Sequence, residues 1–386
     1  MKHSFENCAR EVLCDLIALR TVNPMGRPYD GDLPIERPVI EYLEQLFAPY
    51  GVELCRRLCS PLHENLLVMI PGETDFPGTL LESHIDTVPA DDWPERAFTP
   101  RFSDGRIFGR GACDDKGSLT AMALALVSLL DAGKRPPQSA WFLAAGDEEH
   151  AQTGIRQFLA DERLPIGRAI FGEPTNLIPV IQHKGTIRWD IVVKGRSAHT
   201  SQAELGHSAI LNAMRVIDAL AEHQSQLRTA HTSKLISGPS LTVTMIEGGR
   251  TRNMVPDRCQ IAVDFRITPG MNPHSAVKDL FQRLERLGVS LTHSDFQCFA
   301  PALNIASDDP FVQNVAAICQ RELQRDIMPT GAPYGSDAGW MAEDIPTIVL
   351  GPGNIDQAHT VDEYIELQQV VNAAAIYRDT ITHHWI

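Results

Sequence analysis

Short apolar runs alternate with helical stretches along most of this chain, and several of the runs stop at a histidine or a cluster of acids. Residues 65–70, 79–85, 139–145 and 168–172 read as strands, rich in Leu, Ile, Val, Phe and Ala. Between or beside them, 5–20, 36–48, 117–132 and 154–161 carry helical spacing of apolar residues, and Gly133 closes the third of these. Such alternation predicts an α/β layer, a mainly parallel sheet flanked by helices. Loops leaving the carboxyl ends of parallel strands are where sites form in that architecture.

The middle of the chain changes character. Strand-like alternation at 187–193 is followed by a helix at 208–221, strands at 240–247 and 259–267, and a helix at 273–287. This order predicts an α+β unit. The α/β pattern then resumes with a helix at 309–325, a strand at 346–350 and a terminal helix from about 363. The sequence therefore predicts a catalytic domain built from 1–178 and 294–386, interrupted by an inserted domain at 179–293. A length of 386 residues fits two domains better than one core. An amphipathic helix within 205–236 either lines an interface or covers the sheet of the inserted domain.

Lys and Arg number 34 and Asp and Glu 49, a formal net charge of −15. That balance disfavours a sequence-independent nucleic-acid binder and an anionic membrane surface as partners. It suits both a soluble surface and a site that gathers cations. No run reaches the ~18 apolar residues of a membrane span. Acids at Glu6, Glu11 and Asp15 do not fit a secretory signal, so the chain reads as cytoplasmic. Eight scattered cysteines without a Cys-x-x-Cys pair predict reduced, mostly buried thiols.

Five short segments carry the chemistry. In LLESHIDTVP (80–89), His84 and Asp86 lie two apart at a strand end, a ligand with an orienting carboxylate or a strand end capped by its own side chains. In GRGACDDKG (109–117), Asp114 and Asp115 precede an apolar helix, where an acid can also serve as a plain N-cap. AAGDEEH (144–150) sets Asp147, Glu148 and Glu149 after a buried strand. If that segment stays extended, its neighbours point opposite ways, one toward a metal and one toward water. Glu173 follows a strand in FGEPT (171–175), and His359 stands in the Gly- and Pro-rich GPGNIDQAHT (351–360). Two histidines and several carboxylates at the ends of separate strands form a donor set for zinc, cobalt or manganese. No Gly-x-Ser-x-Gly, Walker or Rossmann pattern occurs.

Taken in order, SHIDTVP, GRGACDDKG, GDEE, GEPT and the late histidine resemble the M20 family of metallopeptidases and deacylases over nearly the whole chain. The resemblance implies a catalytic α/β domain interrupted by a lid or dimerisation domain, and two divalent metal ions, zinc first with cobalt or manganese as substitutes. By position, His84 and Glu173 would hold one metal, Glu149 and His359 the other, and Asp114 would bridge them, with the Asp114–Asp115 peptide cis. Asp86 would orient His84, and Glu148 would be the general base. In GRSAHTS (195–201), His199 would polarise the substrate carbonyl, and Asn253 and Arg266 would grip the substrate carboxylate. The implied activity is removal of an acyl group from an N-acyl amino acid. The late Gly-Pro-Gly, Gln-Ala-His and Asp-Glu-Tyr spacing favours N-acetyl-L-ornithine, which would give ornithine and acetate. The alternatives are N-succinyl-diaminopimelate, another N-acyl amino acid or a dipeptide, and, remotely, a catalytically silent binding protein. A homodimer through the lid domain is implied as well. His150, Tyr334, Gly335 and Trp340 depart from the family pattern and bear on substrate choice.

Overall fold

The computed structural model describes residues 2–161, 163–230 and 233–385. The chain divides into two compact units. The first comprises 1–181, 304–330 and 336–386; the second comprises 182–303 and 331–335. Among the described residues, no helix is long and apolar enough to cross a membrane.

The first unit is built on a sheet whose centre is parallel. Gln138–Ala145, Thr74–His84, Ile166–Phe171 and Thr347–Val349 lie side by side in that order. The register sets Leu81 beside Phe142 and Ile170, and Ile170 beside Ile348. Antiparallel strands Glu64–Ile70 and Glu53–Leu58 extend one side, and Val180 pairs antiparallel with Val349 on the other. Parallel alignment brings the carboxyl ends of four strands to one edge. His84 is the last residue of its strand, and the loops carrying Glu148, Glu173 and His359 leave the same edge.

Helix Lys116–Asp131 is buried along nearly its whole length, as its unbroken run of Leu, Ala and Met requires. It packs on the C-terminal helix Leu367–Ile381 and on Lys2–Ala18. In Arg37–Phe47, Pro38 starts the first turn, and Val39, Ile40, Leu43 and Phe47 form the buried stripe. Gly133 adopts φ +62°, a left-handed stop that a β-carbon would oppose.

The second unit is an antiparallel sheet, ordered Ser240–Gly248, Arg258–Ile267, Gly185–Lys194 and Leu291–His293. Alternate residues of Arg258–Ile267 (Cys259, Ile261, Val263, Phe265, Ile267) are buried against helices Ala209–Ala230 and Pro273–Glu285. Asn272 caps the latter helix by accepting from Ser275 N at 3.0 Å.

The structure departs from the sequence reading in several places. Segment 294–303 belongs with the second unit, because Cys298–Ala300 pairs antiparallel with Gly185–Lys194. Residues 331–335 join it too, and Lys184 N donates to Tyr334 O at 3.1 Å. The terminal helix begins at Leu367, after a short strand, Tyr364–Glu366, paired with Arg106–Phe108. The helix read at 208–221 runs on to Ala230; positions 231–232 of the 205–236 stretch lie outside the described residues. All seven described cysteine side chains are free thiols, but only Cys113, Cys259 and Cys319 are buried; the side chain of Cys298 lies outside the described residues.

Candidate active site

Six of the sequence-derived residues meet at the carboxyl edge of the parallel strands. His84 Nε2 lies 3.0 Å from Asp114 Oδ1, and His359 Nε2 lies 3.1 Å from Asp114 Oδ2 and 3.3 Å from Glu149 Oε2. One carboxylate, Asp114, thus stands between the two imidazoles. Ligand atoms of His84, Asp114 and Glu149 fall within 4.8 Å of one another, and so do those of His84, Glu148 and Glu173. Histidine nitrogens with carboxylate oxygens are the donor set of zinc and its first-row neighbours.

Electrostatics agree with that donor set. Burial raises Glu149 and Glu173 above the ordinary carboxylate range and pushes Glu148 up to about 8. Hydrogen bonds donated to Asp114 and Glu149 lift His359 to about 11. Asp114 goes the other way: hydrogen bonds from His359 and His84 outweigh its burial and hold it below the ordinary range. Four carboxylates, Asp114 and Glu173 on buried residues and Glu148 and Glu149 on half-buried ones, therefore face two imidazoles, a surplus of negative charge that divalent cations neutralise. Among the described residues, Glu149 Oε1 is buried without a hydrogen-bond partner, as an oxygen awaiting a cation would be.

The surrounding contacts fix this group. His84 Nδ1 lies 2.9 Å from the main-chain oxygen of Asp86, while the Asp86 carboxylate is 3.6 Å away. That carboxylate instead accepts from Glu148 N (3.1 Å) and Glu149 N (3.3 Å), so Asp86 braces both the histidine and the glutamate pair. Asn23 Nδ2 donates to Asp86 (2.8 Å) and to Asp147 (2.9 Å), and Asp147 accepts from Thr153 Oγ1 at 2.7 Å. Asp147 is therefore a loop-holding residue. Its φ of +64° turns the chain, which overturns the extended geometry expected for 147–149: both glutamates reach the cluster from a turn.

The Asp114–Asp115 peptide is cis. Asp115 turns away from the cluster to accept from Ser83 Oγ and Ser118 Oγ, both at 2.5 Å. Gly172 admits this packing: a β-carbon there would lie 2.6 Å from Asp115 Oδ2. Glu363, which sequence reasoning missed as a functional residue, is wholly buried and accepts from Arg110 Nη1 (2.6 Å) and from the main-chain N–H groups of Gly111 (3.1 Å), Cys113 (2.8 Å) and Asp114 (3.0 Å). It fastens the loop that presents Asp114. The only sequence sign of it was the Asp-Glu-Tyr run after His359.

His199, Asn253 and Arg266 lie in the second unit. His199 caps the 3-10 turn Thr200–Leu205, its Nδ1 accepting from Ser201 N at 3.2 Å. The same Nδ1 lies 2.8 Å from Ser201 Oγ. Asn253 O accepts from Thr200 N at 3.0 Å, in the segment beside His199. Arg266 donates to both oxygens of Asp264 (2.7 and 3.3 Å) and to Thr186 Oγ1 (2.9 Å).

The model of peptidase family M20/M25/M40 matches residues 80–383. The chain belongs to that family. It is 30% identical over 371 residues to an acetylornithine deacetylase of Vibrio cholerae, covering 93% of each chain. It is 28% identical over 400 residues to a probable succinyl-diaminopimelate desuccinylase of Staphylococcus epidermidis, covering 95% of each. In fold it is similar to an M20 family metallo-carboxypeptidase from Sulfolobus solfataricus, with a TM-score of 0.78, 17% identity, and 97% and 98% of the two chains covered. The chain is an amide hydrolase of the M20 type, and its His/Asp/Glu groups are ones that can hold a metal ion.

Proposed function

We propose that this chain removes the acyl group from an N-acyl amino acid, with N-acetyl-L-ornithine as its first substrate. The observation that carries the reaction is the cluster at the sheet edge, in which Asp114 stands between His84 and His359 while Glu148 keeps a carboxylate in the same group. His84 and Glu173 would hold one metal ion, Glu149 and His359 the second, and Asp114 would bridge. Bound there, two divalent ions, zinc first, supply Lewis-acid polarisation of the amide carbonyl and make water easier to deprotonate.

The chain's own groups do the rest. Burial gives the Glu148 carboxyl a proton affinity near neutrality, suited to taking a proton from water and passing it to the departing amine. Nε2–H of His199 donates to the developing oxyanion, and Arg266 with Asn253 pairs with the substrate carboxylate. Strand Ser240–Gly248 is an edge of its sheet, with Met245 and Ile246 exposed, and Leu211 and Met214 are exposed on the helix Ala209–Ala230. An unpaired apolar edge of this kind favours a homodimer through the second unit, which light scattering would reveal.

Substrate choice rests on the late loop and on the similarity to the Vibrio cholerae deacetylase. It is tested by kcat/KM over N-acetyl-ornithine, N-succinyl-diaminopimelate, other N-acetyl amino acids and dipeptides. Preference for the succinyl substrate or for dipeptides overturns the first choice while leaving the reaction class intact.

A further inference from the structure

The Glu148 carboxylate sits among acids that repel it, so something must hold it in one place. Its main-chain N–H is tied to Asp86, but that leaves the side chain free to turn. Among the described residues, the hydrogen bond that fixes the carboxylate comes from Gln152, whose Nε2 donates to Glu148 Oε1 at 3.0 Å. The other end of the same amide is occupied: Gln152 Oε1 accepts from Trp340 Nε1 at 2.9 Å. An indole nitrogen only donates and Glu148 Oε1 here accepts, so a primary amide is the group that bridges them, and only one amide orientation satisfies both.

The two partners are themselves immobilised. Gln152 is buried, with φ +54°, and its N–H closes the turn onto Asp147 O at 2.7 Å. Trp340 ends the 3-10 turn Asp337–Trp340, capped by Ser336, and Arg156 lies over its ring at 5.5 Å. Glutamate at 152 would set one carboxylate against another, methionine would fill the space without either bond, and asparagine would fall short by a methylene. We propose that Gln152, oriented by Trp340, is a positioning residue that aims Glu148 at its proton-transfer geometry. The inference rests on Glu148 being the proton carrier.

The test uses the zinc-loaded enzyme with N-acetyl-ornithine, or with whichever substrate of the panel it prefers. Gln152→Met should lower kcat about ten- to hundredfold, the range for a lost hydrogen bond to a charged group, with KM within about twofold. Metal content should match the parent. Trp340→Phe should lower kcat less, about three- to tenfold, and the double variant should be no slower than Gln152→Met alone, because both act through one amide. A parental kcat in Gln152→Met overturns the inference, as does a raised KM at unchanged kcat, which would make these residues substrate contacts. Loss of metal would also overturn it, by making them part of the metal scaffold. If Gln152→Met does not fold, Trp340→Phe carries the same test. A Glu148→Ala variant run alongside separates the two levels: if it keeps near-parental turnover, the reading of Glu148 fails; if it is dead while Gln152→Met is unimpaired, only the present inference fails.

Discussion

Glu363→Ala removes the fastening of the loop that presents Asp114. In the folded chain this carboxylate, wholly buried, accepts four hydrogen bonds: three from the main chain of Gly111, Cys113 and Asp114, and one from Arg110, itself only 3% exposed. The variant strands three buried N–H groups and an unpaired buried guanidinium. Breaking a buried ion pair by removing one partner costs about 3–5 kcal/mol. Each stranded N–H adds to this at a rate of about 1–3 kcal/mol when it finds no water. Water entering the space left by the side chain relieves part of that, so we expect a loss of roughly 4–7 kcal/mol. For a unit this large, such a loss lowers the apparent Tm by on the order of 10 °C. Because the loop carries Asp114, zinc affinity should fall as well, by about ten- to hundredfold, as for other residues that hold a ligand in place. Differential scanning calorimetry and competition with a fluorescent zinc chelator read the two effects. A variant within about 1 kcal/mol of the parent, with unchanged zinc affinity, would refute the reasoning that this carboxylate holds the loop.

Stripping metal with a chelator should abolish turnover and lower Tm, since the surplus of buried carboxylates is then uncompensated; restored zinc at about a thousand times Kd should return about 4 kcal/mol of stability, and activity that survives exhaustive chelation speaks against the proposal. His199→Ala should cut kcat by about a hundred- to a thousandfold, the range for one oxyanion donor, with little change in Tm because the side chain is exposed; an unchanged kcat removes His199 from the mechanism. Burial lowers His183 from its ordinary 6.5 to about 4, so the unfolded ring binds a proton that the folded one refuses. Its contribution is complete above about pH 6.5 and is lost as the pH falls toward 4, at most about 3 kcal/mol. In urea titrations at several pH values, His183→Gln should show a shallower decline than the parent over that window, and identical slopes would contradict the assignment.

Much of the site was legible because its chemistry follows a local rule. His84, the Asp114–Asp115 pair, the Glu148–Glu149 pair, Glu173 and His359 each stand just beyond an apolar segment or in a glycine-bearing loop, and a parallel sheet delivers such positions to one edge. The inserted α+β unit was legible from the change in strand and helix order. What escaped was either short or non-local. The three-residue strands Arg106–Phe108 and Tyr364–Glu366 are too brief for a period to emerge. The partners of Glu363 stand some 250 positions earlier, and Trp340 meets Gln152 across 188. Asn23 reaches Asp147 across 124. Each of these is a polar residue whose spacing in the chain has no relation to its partner, so only the folded chain discloses the pairing. The positive φ at Asp147 was likewise hidden, since nothing in Gly-Asp-Glu-Glu marks where the strand gives way to a turn.

The proposed mechanism turns on Glu148 as the proton carrier of a two-metal amide hydrolase. Its most direct test is the turnover of N-acetyl-ornithine, or of the best substrate in the panel, by zinc-loaded Glu148→Ala. We expect kcat to fall about 10²–10⁴-fold with two zinc ions per chain retained. Near-parental turnover by that variant would contradict it.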